Sequence, residues 1–149
     1  MKYNKINELL VKEAFKPSKH NYGYQVDAEH TFLCIDGALG LRLANVAIYV
    51  DVARIFWRSG PFEKKNVDRL FEGASSAEML TATTELFQNG KMVCNVYTLP
   101  DGQKVYINRD LLKYFDNPIL YTTGIKKPVY VKEKDFDDVC AVVMPVNNY

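Results

Sequence analysis

The side chains that most often do chemistry are few in this chain and follow no catalytic spacing. Its two histidines, His20 and His30, form neither an H-x-x-x-H nor an HExxH arrangement, so the sequence predicts surface histidines and no metal site. Asp135, Asp137 and Asp138 lie close together, but their run lacks the central glycine of a calcium loop. We interpret it as a charged, solvated loop between two strands.

Nucleotide-binding and nucleophile motifs are not found in the sequence either. Gly37-Ala38-Leu39-Gly40 lacks the Lys-Ser/Thr of a P-loop and the third glycine of a dinucleotide fingerprint. Ser75-Ser76 has no G-x-S-x-G context, and neither Cys94 nor Cys140 has a histidine nearby in the sequence. These patterns predict a non-enzymatic protein without catalytic, cofactor-binding or metal-binding residues. An active site assembled from residues far apart in the sequence stays open as an alternative.

Size and composition predict one globular domain over residues 1–149. A chain of this length buries roughly 70% of its unfolded surface, so it needs no disulfide or metal to hold a core. Nineteen basic and eighteen acidic residues give a net charge of +1, which does not indicate a strongly basic nucleic-acid surface. The three cysteines have no C-x-x-C spacing and favour reduced, buried thiols in a cytoplasmic protein. No window is apolar enough for a membrane span, so we expect no membrane partner.

Hydrophobic periodicity predicts an α+β domain in which helices separate runs of antiparallel strands. An apolar face at spacings of three and four predicts a first helix over 6–16, ended by Pro17. Asn108 is expected to cap a second helix over 109–115. Strands are predicted over 24–28, 31–35, 39–43, 46–50, 81–88, 91–99, 104–107, 119–123, 128–132 and 139–146.

Turn residues divide these elements. Asn89-Gly90 between two alternating runs predicts a hairpin with a type I′ turn, and Asp36-Gly37 predicts a turn or bulge. The stretch 51–81 is less regular, and we interpret it as an insertion or long connection. Within it, 51–58 suits either a helix capped by Asp51 or a buried strand, whereas 66–71 suits a short helix.

An internal echo connects the two ends of the chain. Residues 1–12 resemble residues 104–115, since each stretch has a short strand start, then Ile-Asn, an acidic residue and Leu-Leu on a helix. The echo predicts two copies of one supersecondary unit within a single domain.

Four short segments of the C-terminal third carry a family resemblance. They are Ile107-Asn108-Arg109-Asp110-Leu111-Leu112, Leu120-Tyr121, Lys127-Pro128-Val129-Tyr130-Val131 and Val142-Val143-Met144-Pro145-Val146. Together they resemble the last domain of the bacterial DNA polymerase III sliding clamp, the beta subunit. Met1-Lys2-Tyr3 with Leu9-Leu10, and Ile35-Asp36-Gly37, are similar to the same family more weakly, and 51–81 shows no likeness.

The resemblance implies a DNA-clamp-like domain of two βαβββ units, with antiparallel sheets and two helices on one face. It implies a non-enzymatic module of DNA replication, such as one encoded by a mobile element. Its partners would be double-stranded DNA held weakly and without sequence preference, peptides of replication proteins, and further copies of the chain. The DNA-facing helix candidates are Lys5, Lys12, Lys16, Arg109 and Lys113. The partner-peptide candidates are Met144, Pro145 and Val146.

Three features depart from the family pattern. A bacterial clamp chain has three such domains and dimerises into a ring, whereas this chain has room for one. Glu8, Glu13 and Asp110 lie among the basic residues of the predicted helices, and Asn147-Asn148-Tyr149 differs from the usual ending. The alternative is a protein-interaction or regulatory domain on a clamp-like fold with no DNA role.

Overall fold

The computed structural model describes residues 1–55 and 64–147 and has an α+β architecture with antiparallel sheets. The α-helices are α1 (Tyr3–Phe15), α2 (Val52–Ile55) and α3 (Lys64–Phe71), and the 3-10 helices are η1 (Asn45–Ala47), η2 (Glu72–Ser76) and η3 (Arg109–Tyr114). The strands are β1 (Tyr22–Gln25), β2 (His30–Ile35), β3 (Leu39–Ala44), β4 (Glu78–Met79), β5 (Thr81–Asn89), β6 (Met92–Thr98), β7 (Lys104–Asn108), β8 (Pro118–Thr122), β9 (Val129–Glu133) and β10 (Ala141–Val143).

The large sheet has a mirrored strand order. Its seven strands run β1-β2-β3-β10-β9-β8-β4, and β3 pairs antiparallel with β10 so that Gly40 faces Val142. From either side toward the central β3–β10 pair, the series α1-β1-β2-β3 is matched by η3-β8-β9-β10, and β4 is added outside β8. The two leading helices, α1 and η3, contribute to the same apolar cluster.

Two apolar clusters hold the sheet from its two sides. On one face, Ile6 and Leu10 of α1 pack with Leu111 of η3 and with Val105 and Ile107 of the three-stranded sheet β5-β6-β7. On the other face, α3 covers the sheet. The residues of this second cluster are Phe32, Cys34, Val67, Phe71, Tyr130 and Val142. Each fully buried Leu, Ile or Phe contributes roughly 1.5–3 kcal/mol through the removal of its side chain from water.

The expected α+β class and most of the predicted strands are confirmed, but the two units are unequal. In the second half, β7, η3 and β8 to β10 give a strand, a helix and three strands. In the first half, no strand precedes α1 in the described part of the chain, so the expectation of two complete βαβββ units is wrong there. Ile6-Asn7 lies inside α1, whereas Ile107-Asn108 ends β7. The similar sequences at 1–12 and 104–115 therefore adopt different structures, a helix in the first and a strand followed by a 3-10 helix in the second.

The predicted 81–99 hairpin is confirmed, but its turn is shifted by one residue. Asn89 pairs with Met92 as the last residue of β5, so the two central residues are Gly90 and Lys91. Gly90 has a φ of 61° and neither Asn89 nor Lys91 has a positive φ, which is the pattern of a type II′ turn. The predicted type I′ turn at Asn89-Gly90 is wrong. That conformation occurs instead at the predicted turn Asp36-Gly37, where the φ values are 54° and 65°.

Three further elements differ from the predictions. The expected strand over 46–50 does not form: residues 45–47 form η1 instead, and the Asn45 side chain donates to the Asp27 and Ala28 carbonyls. The last strand is shorter than 139–146, since β10 covers only Ala141–Val143, and the Met144 amide extends the pairing with β3 by one hydrogen bond to the Ala38 carbonyl. The second predicted helix is a 3-10 helix of six residues.

The stretch 51–81 contains α2, α3, η2 and β4. The helical alternative holds for 52–55, while 56–58 of that prediction lie outside the described residues. The short helix predicted over 66–71 is confirmed within α3. Its interpretation as an insertion stays a prediction.

Candidate nucleic-acid interface

Three exposed lysines form a row along α1 and its C-terminal end, with Lys5 and Lys12 on the helix and Lys16 directly after its last residue. Lys5, Lys12 and Lys16 are seven and four residues apart, so at 3.6 residues per turn they fall within about 40° of one another around the helix axis. Ile6 and Leu10, which lie on the inward flank, are fully buried in the core. Burial of that flank fixes the rotation of the helix and leaves the three ammonium groups in solvent.

Glu13 does not weaken this row in the way that the sequence suggested. Its side chain is only 5% exposed, and its carboxylate accepts hydrogen bonds from the Ser18 amide at 2.9 Å and the Asn21 side-chain amide at 2.8 Å. These bonds turn it toward the segment after the helix. Glu8 is the exposed acid of α1, and no ion pair within 4.0 Å joins it to Lys5 or Lys12 in the described structure.

Arg109 and Lys113 are exposed on η3, beside the start of α1. The Asn108 side chain accepts from the Asp110 amide at 3.1 Å, as predicted for a cap, and so fixes the first turn of η3. The Lys2 amide donates to the Tyr114 carbonyl at 2.7 Å and ties the two helices together. All five predicted DNA-facing side chains are therefore exposed, four of them on two helices that share one apolar cluster and the fifth, Lys16, directly after α1.

The partner-peptide candidates bridge the two sheets. The Met144 amide donates to the Ala38 carbonyl and the Val146 amide donates to the Tyr106 carbonyl, each at 2.8 Å. Met144 is 45% exposed, whereas Pro145 and Val146 are half-buried. The two cavities described next are lined by other residues, so the structure does not join these three to either cavity.

A cleft of about 660 Å³ lies where β3 and β9 separate. Cys140 bonds to both neighbouring strands, because its carbonyl accepts from the Arg42 amide and its amide donates to the Val131 carbonyl. β10 begins at the next residue, Ala141, so the gap between β3 and β9 lies before this point. Several acidic groups line it, together with Arg42, whose guanidinium carbon lies 4.0 Å from the centre of the Phe71 ring.

Two carboxylates of this cleft, Asp27 and Glu133, are occupied by backbone hydrogen bonds. Asp27 accepts from the Glu29 and His30 amides at 2.8 Å each, and these bonds lower the pKa of its carboxyl. Burial raises the pKa of the Cys140 thiol to about 11, so the thiol is protonated and a poor nucleophile at neutral pH. Among the described residues, no three His, Cys, Asp or Glu side chains are grouped to hold a metal ion.

A second groove, of about 490 Å³, separates α1 from the segment that follows η1. Asn7 builds it from beneath: its side-chain amide donates to the Ala47 carbonyl and its oxygen accepts from the Tyr49 amide, both at 3.0 Å. Val11, Lys12 and Tyr49 line the groove. Tyr49 is 84% exposed and belongs to the stretch 46–50, where the predicted strand does not form.

Comparison with known proteins adds no relative. No protein-family model, curated protein or solved structure matches this chain. No helix in the described ranges combines the length and the apolar character needed to cross a membrane.

Proposed function

We propose that the protein is a non-enzymatic, clamp-like binding module that associates weakly with duplex DNA through the outward surface of α1 and η3. The observation that carries this proposal is the mirrored sheet order, with one helix leading each strand triplet on a common face. Two related units about a twofold axis would produce that order. It therefore supports the likeness to a clamp domain that the C-terminal residues suggest.

The lysine row fits a phosphate backbone better than the sequence implied. At 1.5 Å per residue, Lys5 and Lys16 are about 16 Å apart along the helix, a length that covers several phosphates of one strand. Because the Glu13 side chain is buried, Glu8 is the exposed acidic residue of α1 beside the three lysines. Phosphate contacts by lysine are independent of base sequence and strongly salt-dependent. We therefore expect weak binding that is seen mainly at low salt.

Fluorescence anisotropy with a labelled duplex of about twenty base pairs, at several salt concentrations, tests this. The triple variant Lys5→Gln, Lys12→Gln, Lys16→Gln should lose most of the affinity. Its salt slope should fall by between about 2 and 3, since each lost phosphate contact removes about 0.9 from the slope. The matched control replaces Lys91, Lys127 and Lys134, exposed lysines outside α1 and η3, with glutamine. Equal losses in the two triples, or no binding at low salt, would contradict the proposal.

Exposure of Met144 favours a second candidate, in which the module binds a peptide of a replication protein through Met144, Pro145 and Val146. The variant Met144→Asp should abolish binding of a labelled peptide from the C-terminus of a bacterial replicative polymerase and leave DNA binding intact. If the wild-type protein does not bind that peptide, the result favours a regulatory or interaction domain with another partner. Sedimentation of the wild type tests for a homo-oligomer.

A further inference from the structure

Two aromatic side chains beside the lysine row have no packing role. Phe15 is 87% exposed and Tyr49 is 84% exposed, whereas Phe32, Phe115 and Tyr130 are almost fully buried. Single exposed apolar residues are common on protein surfaces, so contiguity decides whether they matter.

These side chains form one patch. Val11 and Tyr49 line the same groove, and Phe15 follows Val11 by four residues, one turn along the same flank of α1. The aromatic patch of Val11, Phe15 and Tyr49 is therefore continuous across the groove. It is also held firmly, because the Tyr49 backbone amide is bound by the buried Asn7.

Two lysines of the row and one carboxylate border this patch. Lys12 and Glu8 line the groove with Tyr49, and Lys16 immediately follows Phe15. Cations next to exposed aromatic rings are the combination by which proteins hold single-stranded nucleic acid, since the cations contact phosphates and the rings stack on bases. The bases of a duplex are stacked inside it and cannot reach such rings.

A lipid surface fits this helix less well. Membrane-surface helices insert a broad apolar face, but the apolar face of α1, with Ile6 and Leu10, is already buried against the sheet. Only Val11 and Phe15 remain as large exposed apolar residues of α1.

We infer that this surface binds single-stranded DNA, with Phe15 and Tyr49 stacking on bases while Lys12 and Lys16 contact phosphates. The inference rests on the proposed function, because it uses the same lysine row. It adds the substrate class: an unpaired strand is held more tightly than a duplex.

Anisotropy with a labelled oligothymidylate and a duplex of equal length tests the inference. Phe15→Ala and Tyr49→Ala should each weaken oligothymidylate binding at least about fivefold, with the salt slope and duplex binding unchanged. Tyr49→Phe, which keeps the aromatic ring, should bind oligothymidylate as tightly as the wild type. Phe136→Ala is the matched control, because Phe136 is 70% exposed but lies between Asp135 and Asp137, away from the lysine row. Since all three side chains project into solvent, circular dichroism should show unchanged folding.

The outcomes separate the two proposals. Duplex binding that depends on the lysines, with no effect of the aromatic variants on oligothymidylate, would overturn the inference and leave the proposed function standing. Loss of both DNA forms in the wild type would overturn both. Tighter binding of polyglutamate or of phosphatidylserine vesicles than of oligothymidylate would also overturn the inference, by identifying an acidic protein or a membrane as the occupant.

Discussion

The two halves of the large sheet are alike in their strands and different in the helix that leads them. Each half has three antiparallel strands, β1 to β3 in the first and β8 to β10 in the second, and the second half carries β4 as an additional edge strand. The first half begins with thirteen residues of α-helix, and the second begins with six residues of 3-10 helix. The central strands are fixed by burial on both faces of the sheet, whereas the leading helix only has to cover one face. Its length and outer surface are therefore free to carry function, and α1 has the larger outer surface.

The largest expected effect compares the leucines that anchor the two helices. Leu10 is fully buried and Leu111 is 3% exposed, both in the same cluster. Replacing either with alanine should lower the free energy of unfolding by about 2–5 kcal/mol. Leu10→Ala should lower the free energy of unfolding more than Leu111→Ala does. The long helix α1 is also anchored by Ile6 and cannot shift to fill the cavity as readily as the six-residue η3 can. Urea denaturation measures both.

Val11→Ala is the control for that pair, since Val11 is 46% exposed and its replacement should change stability by no more than about 0.5 kcal/mol. If Leu111→Ala proved the more damaging, the second half would be the better anchored of the two, and the comparison would be reversed.

The strands and α1 could be predicted from the sequence because their side-chain periodicity records which face is buried. The alternation over 39–43 corresponds to β3, the short apolar run over 31–35 corresponds to β2, and the spacing over 6–16 corresponds to α1. The turn at Gly90-Lys91 was misplaced because one residue of register separates two turn types that both use glycine.

The candidate interface was half visible in the sequence. The lysine spacing could be found on a helical wheel. The exposure of Phe15 could not, because its apolar character places it with the buried apolar face of the predicted helix, whereas the structure leaves it 87% exposed. The inward turn of Glu13 could not, because it depends on donors from Ser18 and Asn21 after the helix has ended. The exposure of Tyr49 could not either, since the buried Asn7 sets the path of that segment through two hydrogen bonds.

Two asparagines provide a smaller and sharper comparison. Asn7→Ala removes two part-buried hydrogen bonds, to the Ala47 carbonyl of η1 and from the Tyr49 amide, which should lower stability by about 1–3 kcal/mol. Asn108→Ala removes one helix cap, at about 1 kcal/mol. Chemical denaturation gives both values. Asn7→Ala should also weaken oligothymidylate binding by releasing Tyr49, and Asn108→Ala should not. Equal effects of the two variants on binding would show that Tyr49 needs no fixed position.

The smallest expected effect distinguishes the outer hairpins of the two halves by pH. The β1–β2 turn depends on the Asp27 carboxylate, whereas the β8–β9 turn depends on the Thr122 hydroxyl, which accepts from the Gly124 amide at 3.3 Å and lies 3.0 Å from the Pro128 carbonyl. Hydrogen bonds from the Glu29 and His30 amides hold the pKa of Asp27 below its unfolded value of about 3.9. The stabilisation is therefore complete above that value and is lost as the pH falls through the lowered pKa.

Amide hydrogen exchange between about pH 5 and pH 3, corrected for intrinsic rates, should follow this difference. The Glu29 and His30 amides should lose protection toward the acid end, while the Gly124 amide should keep its protection because a threonine hydroxyl does not titrate there. Asp27→Asn retains an acceptor oxygen without the titration, so it should make the two hairpins behave alike. A parallel loss of protection in both hairpins of the wild type would instead indicate that the sheet opens as one unit, with no independent acid response in its first half.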